Sequence, residues 1–256
     1  DWSAVKGRWF AGGYDELGID VQLQRAGNAV TVVGLDHTAL KTGSTGQSLK
    51  IYVANPPAAL APRDLDFGPG VTVSTATVAG DVVTATVDVA ATAAIGPRSL
   101  VVAGAVKSGA VTIYDTVDSL RVTPSWNMAR VGGVVFPKML ARFDAWTFNN
   151  GPDKKPNTAD DLRLDAVAAT WNVEEYKATF DDEDIKFVGG IDAATSVFTP
   201  NVDGPNPQRK GERNNMGDVW IIASYTPPGA AAPLKGRSHL LVTAPPYMKF
   251  DPTVTP

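Results

Sequence analysis

Cysteine is absent from the 256 residues of this chain, and histidine occurs only twice, at His37 and His239. The lack of cysteine excludes disulfides, thiolate zinc sites, cysteine nucleophiles and covalent c-type haem attachment within the chain. Two histidines provide very few candidate ligands for a multi-histidine metal site and very few candidate bases for a Ser-His triad. A lone histidine is more often a hydrogen-bonded structural residue than a catalytic base. We therefore expect no catalytic residue, cofactor-binding residue or metal ligand in this chain.

Long apolar runs and an excess of basic residues are also lacking. No window reaches the roughly 20 continuous apolar residues that a membrane span needs. The formal net charge is −4, whereas a protein that wraps nucleic acid needs a basic surface to displace counterions. We therefore expect no membrane span and no nucleic-acid partner. The chain begins Asp1-Trp2-Ser3 without a basic and apolar leader, which predicts a processed form or an internal segment.

Short segments in which apolar and polar side chains alternate are the main pattern that is present. Residues 19–24 (IDVQLQ) and 83–89 (VTATVDV) are apolar at every second position, which is typical of half-buried antiparallel strands. The 24 glycines and 19 prolines interrupt the chain every few residues. Gly80-Asp81 and Ser108-Gly109 are predicted to be hairpin turns. Many short strands separated by such turns predict β-sandwiches.

Two breaks divide the predicted strands. One strand ends before Pro124, and because proline cannot donate to a sheet ladder, we expect a linker between two sandwiches there. An earlier break near Gly27-Asn28 leaves an N-terminal piece that is too small to fold alone. One helix is also predicted, because Asn172 followed by Glu175 resembles a capping box.

Two oxygen-rich segments are candidates for chemistry. The loop from Asn150 to Asp161 has enough side-chain oxygens to wrap calcium. Two lysines, however, lie where such a loop needs acidic or neutral ligands, so hydrogen-bonded turn residues are the preferred interpretation. The acidic run at residues 181–184 could supply paired carboxylates, as in a glycosidase. We expect instead a solvated turn before a strand at residues 185–188, because charge runs are usually solvated.

The six tryptophans are candidates for a core or for a contact surface. Trp171 and Trp220 fall inside apolar strand patterns and are predicted to lie in a core. Trp126 and Trp146 are predicted to be exposed or to face a partner protein, since tryptophan often anchors protein contacts.

The loop at residues 203–215 is too long for a simple hairpin turn. Its prolines restrict the backbone and its asparagines can bond to it, so we expect an ordered loop. Asn206 and Asn215 are predicted to fix its shape, and Arg209 and Arg213 to supply charged contacts at the rim of a partner interface. A loop that only covers the end of its own sandwich is the alternative.

Several motifs together resemble a known family. They are GRWF at residues 7–10, DELGIDV at 15–21, MARVGG at 128–133, NGPDKKPNTADDLRL at 150–164, DDEDIKFVG at 181–189, FTPNVDGPNPQR at 198–209 and NNMGDVWIIASY at 214–225. In this order they resemble the C-terminal half of the alpha subunit of quinohemoprotein amine dehydrogenase. The resemblance covers essentially the whole chain and is most specific from Met128 onward.

The resemblance implies an all-β fold with two immunoglobulin-like β-sandwich domains in tandem, at residues 31–123 and 124–256. A short remnant of a β-barrel domain, at residues 1–30, would precede them. It also implies a periplasmic enzyme that oxidises primary amines to aldehyde and ammonia. In that family a haem domain carries haem c, a small gamma subunit carries cysteine tryptophylquinone, and a propeller beta subunit completes the complex. These are the partners that the resemblance implies, and this chain departs from the family by lacking any haem-attachment cysteine.

Two functions remain open at this point. The first is a non-catalytic structural part of the alpha subunit that scaffolds the other subunits of the complex. The second is a free-standing immunoglobulin-like binding or adhesion module, for carbohydrate or a cell-surface partner, with calcium in the loop from Asn150 to Asp161. Co-purifying subunits with haem and quinone absorbance would distinguish the first function from the second.

Overall fold

The computed structural model describes residues 4–9, 19–25, 27–133, 136–177 and 183–245. Within these ranges the regular structure is almost entirely β, with twenty strands and one α-helix of four residues. The prediction of an all-β chain is therefore confirmed. None of the helices in these ranges is long and apolar enough to cross a membrane.

The strands are numbered in chain order. Before Pro124 they are β1 Ala4–Trp9, β2 Ile19–Gln24, β3 Thr31–Leu35, β4 Ala39–Lys41, β5 Gln47–Ala54, β6 Leu65–Asp66, β7 Val71–Ala79, β8 Val82–Val89, β9 Gly96–Val102, β10 Ala105–Tyr114 and β11 Ser119–Thr123. After it they are β12 Trp126–Arg130, β13 Ala141–Arg142, β14 Asp144–Asn149, β15 Leu162–Val167, β16 Thr170–Glu175, β17 Gly189–Ile191, β18 Val197–Pro200, β19 Gly217–Tyr225 and β20 Leu234–Thr243, with helix α1 at Asp184–Phe187.

The first of two compact units comprises residues 1–7, 21–119 and 146–166. This unit contains two four-stranded sheets, with the strand orders β3-β5-β8-β7 and β4-β10-β9-β6. Alternate side chains of β8 are buried, as the period-two pattern predicts. They share one hydrophobic cluster with Leu49 and Ile51 of β5, Leu100 of β9 and Ile113 of β10. Because both sheets contribute to the same core, this part of the unit is a β-sandwich.

The second unit comprises residues 8–20, 120–145 and 167–256. Its four-stranded sheet has the order β12-β20-β19-β16, and a three-stranded sheet has the order β13-β18-β17. Phe143, Phe198, Val219, Ile221 and Leu240 are completely buried in one cluster between these elements. Strand β12 runs parallel to β20 at the edge of the larger sheet. Because the buried side chains of Val219, Ile221 and Leu240 lie on one face of the larger sheet, its other face is directed outward.

Three local predictions can be compared with these elements. Gly80-Asp81 does connect β7 to β8, and the register pairs the strand ends on either side of it. Ser108-Gly109 is not a turn: it lies inside β10, at a break in register with β9, where Gly109 has a φ of 59°. The capping box predicted at Asn172 and Glu175 is wrong as well, since both residues lie in strand β16 and pair with β19; residues 178–180, into which the predicted helix extends, lie outside the described residues. Sheet pairing here outweighs the local capping pattern.

The domain ranges 1–30, 31–123 and 124–256 stay a prediction. The peptide bond before Pro124 is cis and separates β11 from β12, where a linker is expected. Much of the proposed barrel remnant at residues 1–30 lies outside the described residues, which include only its strands β1 and β2 and a few positions beyond them.

Candidate functional site

A buried ion pair anchors the long loop that precedes β19. The carboxylate belongs to Asp184 and the guanidinium to Arg209, and these side chains are only 5% and 2% exposed. Arg209 donates a hydrogen bond to Asp184 and two more, of 2.7 Å each, to the backbone carbonyls of Asn214 and Met216. Asp184 in turn accepts the backbone N–H of Asp218 at 2.9 Å. A buried charge is tolerated when it is paired and hydrogen-bonded, and this pair joins α1, the loop and β19.

A glycine makes room for the buried carboxylate. A Cβ atom at Gly217 would overlap the side chain of Asp184, so no larger residue fits there without a shift. The sequence therefore places glycine at the first position of β19, where the strand passes under α1. Sequence reasoning did not identify the role of this glycine.

The structure corrects two predictions about this pair. Asp184 was expected in a solvated turn before a strand at residues 185–188, but it is buried and begins helix α1. Asp181 and Asp182, which belong to the same acidic run, lie outside the described residues. Arg209 was expected at an exposed rim, and this is wrong because its guanidinium points inward to Asp184. An aspartate and an arginine 25 positions apart give no local signal that they form a pair.

For two other residues of the long loop, the observed contacts agree with the predictions. Asn206 donates to the side-chain oxygen of Asn215 at 2.7 Å, and Asn215 donates to the carbonyl of Val202 at 3.0 Å. These two asparagines therefore help to shape the loop, as the sequence predicts. Arg213 is exposed. Contact of this loop with a partner subunit stays a prediction.

The outward side of the larger sheet carries a row of aromatic and apolar residues. Trp126 and Trp220 both pair with His239, and Met128 and Asp218 both pair with Leu241. Residues that are paired across neighbouring strands project from the same side of the sheet. Alternate positions of the same strands are buried in the core. We call the outward-projecting set the outer face: Trp126, Met128, Asp218, Trp220, Arg237, His239 and Leu241.

Ring contacts hold the side chains of the outer face in place. The ring of Tyr176 stacks on His239 with centroids 4.2 Å apart and contacts Trp220 at 5.0 Å. The guanidinium of Arg237 lies 4.2 Å from the centre of the Trp220 ring. The Nε2 atom of His239 is 3.1 Å from a carboxylate oxygen of Asp218. Contacts of these kinds are individually worth about 0.5–1.5 kcal/mol and fix side-chain orientation.

The outer face continues into a cavity of about 330 Å³. Its walls include Arg213, Met216, Asp218, Leu241 and Thr243. The buried ion pair described above forms another part of the wall. The cavity is therefore bounded by both apolar and charged groups and lies where the long loop meets the outer face.

A family model for domain IV of the quinohemoprotein amine dehydrogenase alpha subunit matches residues 120–253, more than half of the chain. The chain belongs to this family. No curated protein matches it. Among solved structures, the I9–I11 tandem from titin is similar with a TM-score of 0.22 and 12% sequence identity, over 95% of this chain and 75% of that chain.

One of the tryptophans lies elsewhere than predicted. Trp126 is 49% exposed, as expected. Trp171 is partly buried against the core of the second unit, also as expected. Trp220 was predicted to lie in the core, but the inward positions of β19 are taken by Val219 and Ile221, which leaves Trp220 on the outer face. Trp146 is half-buried beneath the guanidinium of Arg163, at 4.4 Å, and its contact with a partner stays a prediction.

The loop at residues 150–161 has carboxylates that accept hydrogen bonds from its own backbone. Asp153 accepts the N–H of Lys155 at 2.8 Å, and Asp161 accepts the N–H of Thr158 at 3.0 Å. A hydrogen bond from the Thr158 side chain lowers the pKa of Asp160. These contacts match the predicted turn-forming role. Over the part of the chain that the structure describes, no three His, Cys, Asp or Glu side chains are grouped so that they could hold a metal ion.

A second hydrogen-bonded carboxylate lies in the first unit. Burial raises the pKa of Asp115, but hydrogen bonds from the backbone and side chain of Thr116 and from Asn149 outweigh this effect and hold the pKa below its usual range. The Nδ2 atom of Asn149 donates to Asp115 at 2.7 Å. Asn149 is buried, so its hydrogen bond to Asp115 helps to hold the segment between β10 and β11 in place.

Proposed function

We propose that this chain is a non-catalytic structural part of the alpha subunit of a quinohemoprotein amine dehydrogenase and scaffolds the other subunits. The observation that carries this proposal is the match to domain IV of that subunit over residues 120–253. Two groups that could do chemistry elsewhere form structural contacts here. Asp184 is paired with Arg209 inside the protein, and His239 is stacked on Tyr176 and bonded to Asp218.

The whole complex, in this proposal, is periplasmic and oxidises primary amines to aldehyde and ammonia. Its partners are the propeller beta subunit, the quinone-bearing gamma subunit and the haem domain. Neither haem c nor cysteine tryptophylquinone fits this chain, because haem c is attached through cysteine thioether bonds, cysteine tryptophylquinone is itself formed from a cysteine and a tryptophan, and the chain has no cysteine. In this proposal the chain supplies contact surfaces for the subunits that carry the redox groups.

Native purification tests this proposal directly. We expect the tagged chain to co-purify with subunits that show haem and quinone absorbance. In the assembled complex, His239→Ala should leave kcat for amine oxidation nearly unchanged, because the ring forms structural contacts with Tyr176, Trp220 and Asp218. A loss of kcat of about 100-fold with intact assembly, equivalent to about 2.7 kcal/mol, would contradict a purely structural role.

The second candidate function is a free-standing binding or adhesion module with calcium in the loop at residues 150–161. The exposed ring of Trp126 and the half-buried ring of Trp220 on the outer face favour it, since aromatic rings can form a platform for sugars. A calcium titration followed by thermal unfolding separates the two functions. Calcium at about 100 times its dissociation constant would stabilise a binding protein by about 2.7 kcal/mol. Under the scaffold proposal we expect neither calcium nor a chelator to change the Tm.

A further inference from the structure

The outer face and the adjoining cavity together have the composition of an interface core. Trp126, Met128 and Met216 are 49%, 36% and 47% exposed, although they are large apolar side chains. Trp220 and Leu241 lie beside them and are half-buried. Contact surfaces between proteins are enriched in tryptophan, methionine and arginine, and a few such residues supply most of the binding energy. A solvent-exposed cluster of this kind marks a docking surface.

Neighbouring side chains already hold two residues of this surface, Trp220 and His239, in place. Tyr176 and Arg237 contact the Trp220 ring, and Asp218 holds His239 in a fixed orientation. Ordering a flexible side chain on binding costs about 0.5–1.5 kcal/mol. A partner that contacts Trp220 avoids most of this cost, because the ring is held before the partner arrives.

Charge restricts the kind of partner. Arg213 lies at the cavity and Arg237 lies over Trp220, and both are exposed. Of the carboxylates on this side of the sheet, Asp218 is bonded to His239, and Glu174 lies on the edge strand β16. Lys235, two positions before Arg237 on the same side of β20, is also exposed, so three exposed cationic groups outnumber the carboxylates of Asp218 and Glu174 and leave a net positive charge on this side of the sheet. Such a region fits carboxylates of a partner.

We propose that the outer face and its cavity are the docking site for an acidic segment of another subunit of the complex. An apolar side chain of that segment occupies the cavity beside Met216 and Leu241. Its carboxylates pair with Arg213 and Arg237, and its remaining apolar surface covers Trp126. This assignment rests on the proposed scaffold function and names the surface through which it acts.

Assembly of variants in the native host tests the assignment. Arg213→Glu and Trp126→Ala are compared with Arg63→Glu and Tyr52→Ala, which alter an exposed arginine and an exposed aromatic residue of the first unit. We expect Arg213→Glu and Trp126→Ala each to weaken binding of the haem- and quinone-bearing subunits by about 10-fold or more, equivalent to about 1.4 kcal/mol. The two control variants should bind within about 2-fold of the unaltered chain. Thermal unfolding confirms that each variant is folded.

Methionine oxidation gives an independent readout on the unaltered protein. Met128 and Met216 are exposed in the chain described here and should react with hydrogen peroxide readily. In the assembled complex we expect both to react at least about 5-fold more slowly, because a docked segment covers them. Mass spectrometry of the peptides measures the two rates.

Three results would overturn the assignment, and they are distinguishable. If the subunits co-purify, but Arg213→Glu and Trp126→Ala bind normally and both methionines stay reactive, the docking site is wrong and the scaffold function stands. If no such subunits co-purify, both proposals fail. If a neutral polysaccharide binds the chain, with loss in Trp126→Ala and retention in Arg213→Glu, the face is a sugar platform instead of a site for an acidic segment.

Discussion

Replacing Asp184 by asparagine removes one charge from the buried ion pair while keeping the size of the side chain. The amide oxygen can still accept the N–H of Asp218. The guanidinium of Arg209, only 2% exposed, loses the negative charge of Asp184. Removal of one partner from a buried pair costs about 3–5 kcal/mol. We therefore expect Asp184→Asn to lower the free energy of unfolding by about that amount and the Tm by about 10 °C.

Urea unfolding measures the loss, and limited trypsin digestion locates it. Arg209, Lys210 and Arg213 are trypsin sites in the loop that the pair anchors. We expect faster cleavage there in Asp184→Asn, because the loop opens more easily once the guanidinium has lost the charge of Asp184. Glu183→Gln is the matched control, since its exposed contact with Lys186 is worth less than about 1 kcal/mol.

A double variant tests the physical reason for the loss. Combining Asp184→Leu with Arg209→Met replaces both charges by apolar groups, a change that is often neutral or stabilising for a buried pair. We expect the double variant to be more stable than Asp184→Asn alone. If Asp184→Asn unfolds within about 1 kcal/mol of the unaltered chain and its loop is cleaved no faster, the pair does not anchor the loop and the reasoning is refuted.

Three further changes probe the packing and the pH response. Gly217→Ala should cost about 2 kcal/mol or more in urea unfolding, because the new methyl overlaps the buried carboxylate, while Gly190→Ala, with open space around it, should cost less. Phe143→Ala should cost about 3–5 kcal/mol because its ring is fully buried, and Trp126→Ala less than about 1; equal losses would contradict the burial assigned to them. The lowered pKa of Asp115 contributes stability that is present above about pH 4 and lost as the pH falls through the folded-state pKa. Asp115→Asn should therefore flatten the pH dependence of unfolding between about pH 2 and pH 5, and an unchanged slope would contradict this.

Local alternation was sufficient to predict strand β8. Its residues 83–89 are apolar at every second position, and those apolar residues are the ones buried in the core of the first unit. Gly80-Asp81 marked the turn between β7 and β8, because glycine tolerates the positive φ of 58° found there. These features depend on neighbours in the chain, which the sequence displays directly.

Predictions failed where the outcome depended on a distant partner. The segment after Asn172 has a helix-capping pattern, yet it pairs with β19 as a strand because that pairing completes the sheet. Trp220 looked like a core residue, since apolar residues flank it on both sides; the register of β19 with β20 decided that it faces outward.

The sequence by itself determined the all-β class, the resemblance to the amine dehydrogenase alpha subunit and the absence of the cysteine that haem c attachment and cysteine tryptophylquinone both require. Only the tertiary structure decided that Asp184 and Arg209 form a buried pair, because residues 25 positions apart meet only after the sheet and loop are in place. It also placed Trp126, Trp220 and His239 side by side on one face. Strand register and long-range contacts fix such groupings, and local periodicity does not contain them.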